Sequence, residues 1–216
     1  NITVTNGTAV GQQTNDLIIP ILTRSNLDSG LNLNGEAANI GSTGSTAGRV
    51  IINTFGSGVS LVNNILPWAA FGGADLVSYN PTFGLGVINE AGMAGYDQNL
   101  TTALAATNIV TTATQNVKIS GDVVSNFADS GTNQIAVNAL VLNTATTAGR
   151  TLSFADNADK LFITSGALMK TGVAANIGAA LGNGSIAAGA AGSANAVERL
   201  FFHSAGAVVT TVNSAI

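Results

Sequence analysis

The sequence predicts an all-β protein, more narrowly a right-handed parallel β-helix, with a β-sandwich as the runner-up architecture. Three observations carry this reading. Only 8% of the 216 residues are charged, against roughly 25% in ordinary soluble domains, so the charged side chains that build most helical surfaces are scarce. Polarity comes instead from Asn, Thr, Ser and 26 Gly. Asn, Thr and Gly rank poorly in helices, whereas Thr packs well on a pleated surface and Asn can stack in hydrogen-bonded ladders. Finally, short apolar runs recur along the chain, each closed by Gly, Asn, Asp or Ser, as expected of many short strands.

Taken in order, residues 2–5, 17–22, 31–33 and 50–53 read as the first strands, and a low-complexity loop of Gly, Ser and Thr over residues 41–48 lies before the last of them. Residues 1–48 are therefore an N-terminal portion and 49–216 the main segment, with an aromatic-rich insertion around 65–97. Residues 59–62, 75–79, 109–112 and 117–120 are the next strands, and residues 103–106 begin a helical turn that β-branched Thr107 ends. The C-terminal half continues with 135–143, 151–154, 161–164, 197–203 and 207–212, interrupted by a Gly/Ala-rich stretch at 178–196. Apolar pairs return after roughly 20 residues, Leu140/Leu142 being answered by Leu161/Ile163, within the period of solenoid repeats. Lone glycines between them (Gly121, Gly131, Gly149, Gly166) permit corners with positive φ. Asn-Gly pairs occur only at Asn6-Gly7, Asn34-Gly35 and Asn183-Gly184, fewer than an antiparallel meander should show. The expectation is parallel coils that point Leu140, Leu142, Leu161 and Ile163 into one interior.

Composition also excludes functions. A hydrophobic content of 46% and a mean hydropathy of +0.38 exclude a disordered chain. Seven Lys plus Arg at a pI near 4.6 supply no basic face for nucleic acid. The longest near-apolar stretch, residues 65–73, holds a Pro and two Gly and is far short of the roughly 20 residues that a spanning helix needs. With one His and no Cys, structural zinc is excluded. Absence of Cys suits an exported bacterial chain, and the strand-like ends suggest a processed or excised part of a longer one.

Residues able to do chemistry are few. His203 is the sole histidine, so a nucleophilic triad would have to combine it with Ser165 or Ser204 and Asp159. The plainer reading is a strand residue whose ring bonds a neighbouring coil. Glycoside chemistry needs two convergent carboxylates, but Asp75, Glu90 and Asp97 are widely spaced, as are Lys118, Lys160 and Lys170. Asp156-Asn157-Ala158-Asp159 offers oxygen ligands that calcium accepts, yet lacks the distal Glu of a calcium loop. An Asx turn before the Leu161 strand is the favoured reading. Trp68, Phe71, Tyr79 and Phe83 form either a core plug or an exposed surface for sugars or partner proteins. No catalytic, cofactor or metal residue is assigned.

Several weak motifs in sequence carry a resemblance. Asn138-Ala-Leu-Val-Leu142, Thr151-Leu-Ser-Phe154, Leu161-Phe-Ile-Thr-Ser-Gly166 and Ala167-Leu-Met-Lys-Thr-Gly172 resemble the ordered motifs of autotransporter-associated β-strand repeat proteins. Val197-Glu-Arg-Leu-Phe-Phe-His203 is similar to their terminal strand, and the segment from Ile65-Leu-Pro-Trp68 to Tyr79 to an upstream one; the family's Gly-Gly-Thr cassettes are absent. The resemblance spans about residues 49–216. It implies a parallel β-helical passenger exported to the cell surface of a Gram-negative bacterium. The expected function is a non-enzymatic extracellular structural or adhesive protein, a segment or subunit of a surface fibre. A polysaccharide-acting lyase or hydrolase is the alternative. Expected partners are further copies or more chain, joined end to end, and a host surface or polysaccharide, with no cofactor.

Overall fold

In the computed structural model, the described residues are 2–3, 16–34, 48–100, 112–120, 125–127, 133–144, 150–172, 174–191, 199–205 and 210–216. They are all-β, with no helix among them, and so none long and apolar enough to cross a membrane. The expected strand at 109–112 and helical turn at 103–106 lie outside the described residues, apart from Thr112. Two compact units divide at Gly95, Asn1–Gly95 and Tyr96–Ile216.

The first unit contains β1 (Ile2–Thr3), β2 (Asp16–Leu22), β3 (Leu31–Asn34), β4 (Arg49–Phe55), β5 (Ile65–Phe71), β6 (Asp75–Asn80) and β7 (Gly84–Val87). β2 and β4 pair in parallel, with Ile18 opposite Ile51 and Ile19 opposite Ile52. At the start of that pair the Arg49 guanidinium holds the Asp16 carboxylate through two hydrogen bonds, which lowers the acid's pKa and raises the base's. β1, β3 and β5 are parallel neighbours, but β5, β6 and β7, within the aromatic-rich insertion expected around 65–97, form an antiparallel meander. Its first turn is Gly72-Gly73, both at positive φ, with the Ala74 N–H donating to Phe71 O. That is the type I′ geometry for which Gly-Gly is suited.

β5 is buried along its whole length, and each fully buried Ile or Leu in it contributes about 1.5–3 kcal/mol. Pro67, which cannot donate to a ladder, falls where the β5–β6 register slips between Leu66 and Ala70. The expected strand at 59–62 is instead irregular over 59–61 between turns at 57–58 and 63–64, with only Val62 bridging to Ile65. Its approach is a tight corner at Gly58, at φ +75, where an added Cβ would lie 2.2 Å from Arg24 O.

In the second unit the strands are β8 (Gln98–Leu100), β9 (Asn116–Ser120), β10 (Ser125–Phe127), β11 (Gln134–Thr144), β12 (Arg150–Phe154), β13 (Lys160–Gly172), β14 (Ala175–Ile177), β15 (Ser185–Ala188), β16 (Phe201–Ser204) and β17 (Thr210–Val212). All strand pairs among its described residues are parallel. One sheet runs β8-β9-β11-β13, after which β13 carries both β15 and β16, and another runs β10-β12-β14-β17. Both sheets feed one apolar cluster that includes Leu140, Leu142, Leu161 and Ile163, as the sequence predicts, with Leu152 and Ile177 from the second sheet. Residues 135–143 do not form a hairpin with 151–154.

The register corrects the predicted repeat. Ile135 and Val137 face Leu161 and Ile163, while Leu140 and Leu142 face Leu168 and Lys170. The spacing is longer than it looked because β13 runs on through Gly166, which the sequence placed in a loop. Gly166 instead sits inside the strand at φ +77, opposite a break in the β11 register between Val137 and Ala139.

Candidate functional site

At that register break a column of polar side chains crosses from strand to strand. Asn138 is fully buried, and its Nδ2 donates to Asn116 Oδ1 at 2.7 Å. The Asn116 N–H donates to Asp97 Oδ2 at 2.7 Å, and Ser165 Oγ donates to Asn138 O at 2.6 Å. Alternation would turn residue 138 either into the core or out to solvent. The bulge instead lets an amide lie along the ladder and bond its neighbour, which buries a polar group without leaving it unsatisfied. Replacing Asn138 by Ala is expected to cost about 1–3 kcal/mol, because Asn116 Oδ1 loses a buried donor. Urea unfolding of the variant measures it, and a change under 0.5 kcal/mol would remove the column from the stability of the fold.

The Asp156–Asp159 turn is tied to itself. Asp156 Oδ1 accepts the N–H groups of Ala158 and Asp159, and Asp159 Oδ2 accepts the Asp156 N–H. This is the Asx turn weighed above. Asp159 is buried and its Oδ1 has no hydrogen-bond partner. No group of three or more His, Cys, Asp or Glu is placed to hold a metal among the described residues.

The three lysines are dispersed. Lys118 Nζ lies 4.9 Å from the Tyr96 ring centroid and Lys160 Nζ 5.8 Å from that of Phe162, favourable cation–π positions. Lys170 is fully buried, in register with core residue Leu142. Its Nζ donates to Gly172 O at 3.0 Å and to Ala205 O at 3.5 Å, and burial lowers its pKa. In the sequence it stands only as one of three widely spaced lysines.

Triad geometry is not assembled by these contacts. Ser165 Oγ is committed to Asn138 O, and Ser204 Oγ lies 3.5 Å from Thr210 Oγ1. His203 is half-buried on β16 opposite Met169. Of the carboxylates, Asp75 Oδ1 accepts the Leu76 N–H beside it and Asp97 serves the polar column.

The aromatic group is mainly core. Trp68, Phe71 and Tyr79 are buried, while Phe83 is half-buried. Tyr79 OH donates to Ile52 O at 2.6 Å and its ring meets Phe55 edge to face. Arg24, itself buried, places its guanidinium 5.3 Å from the Trp68 ring centroid and bonds Ser29 O and Leu27 O. Nothing in the local sequence marks Arg24 as internal; only the fold brings it to Trp68. Comparisons with protein-family models, curated proteins and solved structures find no match to this chain.

Proposed function

We propose that the chain is a non-enzymatic, right-handed parallel β-helical segment or subunit of a bacterial extracellular surface fibre, structural or adhesive in role. The observation that carries this reading is the second unit, where parallel ladders join strands distant in sequence and polar side chains bond the neighbouring strand. Strand–crossover–parallel-strand connections are right-handed in about 98% of cases, which supports the hand. Solenoid repeats of 20–45 residues contact only their neighbours; the bonds Asn138–Asn116, Ser165–Asn138 and Ser185–Asp159 follow that pattern. Low charge and an Asn/Thr surface suit a passive extended fibre better than a cleft that must protonate a leaving group. The motif order supports autotransporter-like export to the surface of a Gram-negative cell.

The test is twofold. Antibody against the chain should label intact producing cells, and the purified protein should release no reducing ends or unsaturated products from a panel of bacterial and host polysaccharides. Turnover abolished by His203→Ala, with an unchanged circular dichroism spectrum, would replace this reading with the enzymatic one.

A further inference from the structure

We propose that Asn183-Gly184 is a covalent modification site, a deamidation site that the folded chain keeps closed and that opening of its turn exposes. In an Asn-Gly pair the glycine has no side chain to shield its backbone nitrogen, which can attack the side-chain amide carbon of the asparagine. The N–Cγ bond forms, the Cγ–Nδ2 bond breaks, and ammonia leaves with the proton lost by the Gly184 nitrogen. Water then opens the succinimide ring to aspartate or its β-linked isomer. Solvent supplies the base and the water, so the rate depends on whether the side chain is free to meet the nitrogen that follows it.

The fold requires this pair. Gly184 is buried at φ +65, and an added Cβ would lie 2.2 Å from the Phe154 ring, so a residue with a side chain is refused there. Asn183 has to be an amide. Its Oδ1 accepts the Phe154 and Ala179 N–H groups, both at 3.0 Å, while its Nδ2 donates to Phe154 O at 3.2 Å. An ionised aspartate only accepts, so it could not satisfy that carbonyl. The Asp156 turn makes the contrast, because there Oδ1 meets two N–H groups and a carboxylate suffices.

The same bonds keep the pair from reacting. With both ends of the amide engaged, the side chain cannot turn its carbon onto the Gly184 nitrogen without first leaving Phe154. The turn is tied elsewhere too. The Asn183 N–H donates to Ala180 O, the Gly182 N–H to Asn213 O, and the Ala215 N–H to Gly184 O. Ser214 Oγ donates to Asn183 O at 2.7 Å. Once the turn has opened and reacted, it cannot close as before. The aspartate sets an oxygen against Phe154 O where the amide donated. The β-linked isomer lengthens the backbone between residues 183 and 184, so Ser214 and Ala215 lose their register on it. Opening is thereby converted into a permanent loss of docking.

Peptide mass spectrometry of the full chain, held at mildly alkaline pH both folded and in urea, tests this. Trypsin cuts after Lys170 and Arg199, so one peptide, residues 171–199, carries this Asn-Gly pair and no other; fragmentation assigns the deamidated residue. Conversion of Asn183 should be at least about tenfold slower in the folded chain, the factor that corresponds to about 1.4 kcal/mol for opening the turn. Chain aged in urea and then refolded should unfold at a lower urea midpoint, with fast amide exchange at Phe154 and Ala179 in the deamidated fraction. Asn183→Asp should show both losses without ageing. Equal rates of conversion in folded and urea-unfolded chain would overturn the proposal, as would an Asn183→Asp protein that matches wild type in urea midpoint and in exchange at Phe154. Should that variant fail to fold, the wild-type rates alone decide.

Discussion

Gly166→Ala is expected to destabilise the protein by about 3–5 kcal/mol, at the top of the range for single substitutions. The residue sits at φ +77 and an added Cβ would fall 2.1 Å from Arg199 O. The left-handed conformation alone costs an L-residue about 1–2 kcal/mol. The collision is with backbone, which cannot rotate away as a side-chain tip would. Arg199 precedes β16, so moving its carbonyl disturbs the Ala167–Phe201 pairing, and the adjacent Ser165 hydroxyl would be pulled from Asn138 O. Gly72→Ala is the control. It has φ +55, but no atom lies within 4 Å of its added Cβ, so it should cost only about 1 kcal/mol. Urea unfolding with unchanged m-values compares them, and equal losses would show that the clash is relieved at no cost.

Lys170→Ala should cost about 2–5 kcal/mol, like other large-to-small changes in a core, because it removes the stem opposite Leu142 and the donor to Gly172 O and Ala205 O. Lys170→Met keeps the stem volume and separates packing from charge; exchanging a buried charge for an apolar side chain is often neutral or stabilising. The charge also leaves a pH signature. Burial lowers the folded-state pKa below the ordinary lysine value of 10.5. Between those two values the unfolded chain holds a proton that the folded chain has released, so stability rises with pH there. Wild type should gain stability relative to Lys170→Met as pH climbs through that window, and the difference should be flat below it. Parallel curves for the two proteins over pH 7–11 would place the ammonium in contact with water instead.

Fold class was legible because it depends on composition, and composition is a sum over the chain. Core residues such as Leu140 and Ile163 were legible from alternation. Register was not, because Asn138 and Gly166 each interrupt the period of two, and a one-residue slip exchanges the faces of everything after it. The β5–β6–β7 meander is not legible from Asn-Gly pairs, because Gly72-Gly73 makes the same turn. Pro67 and the fully apolar Ile65–Phe71 run also lack the polar alternation of a half-exposed strand. At the candidate site, the Asp156–Asp159 turn could be read from spacing alone. Lys170 could not: a lysine among apolar neighbours looks the same in sequence whether its amine reaches water or a buried carbonyl. Arg24 over Trp68 joins residues whose proximity only the folded chain creates.

The parallel ladders of the second unit also determine how it bears load. Ala215 is bonded back to Gly184 and Ile186, β17 to β14, and β16 to β13. A pull on that end meets these attachments in series, each opened bond by bond, instead of shearing a whole ladder at once. Releasing a stretch of about 25 residues pays out roughly 80–90 Å of extended chain while the strands beneath keep their pairing. Under tension such a unit is expected to lengthen in steps, each step freeing one strand from the ladder beneath it.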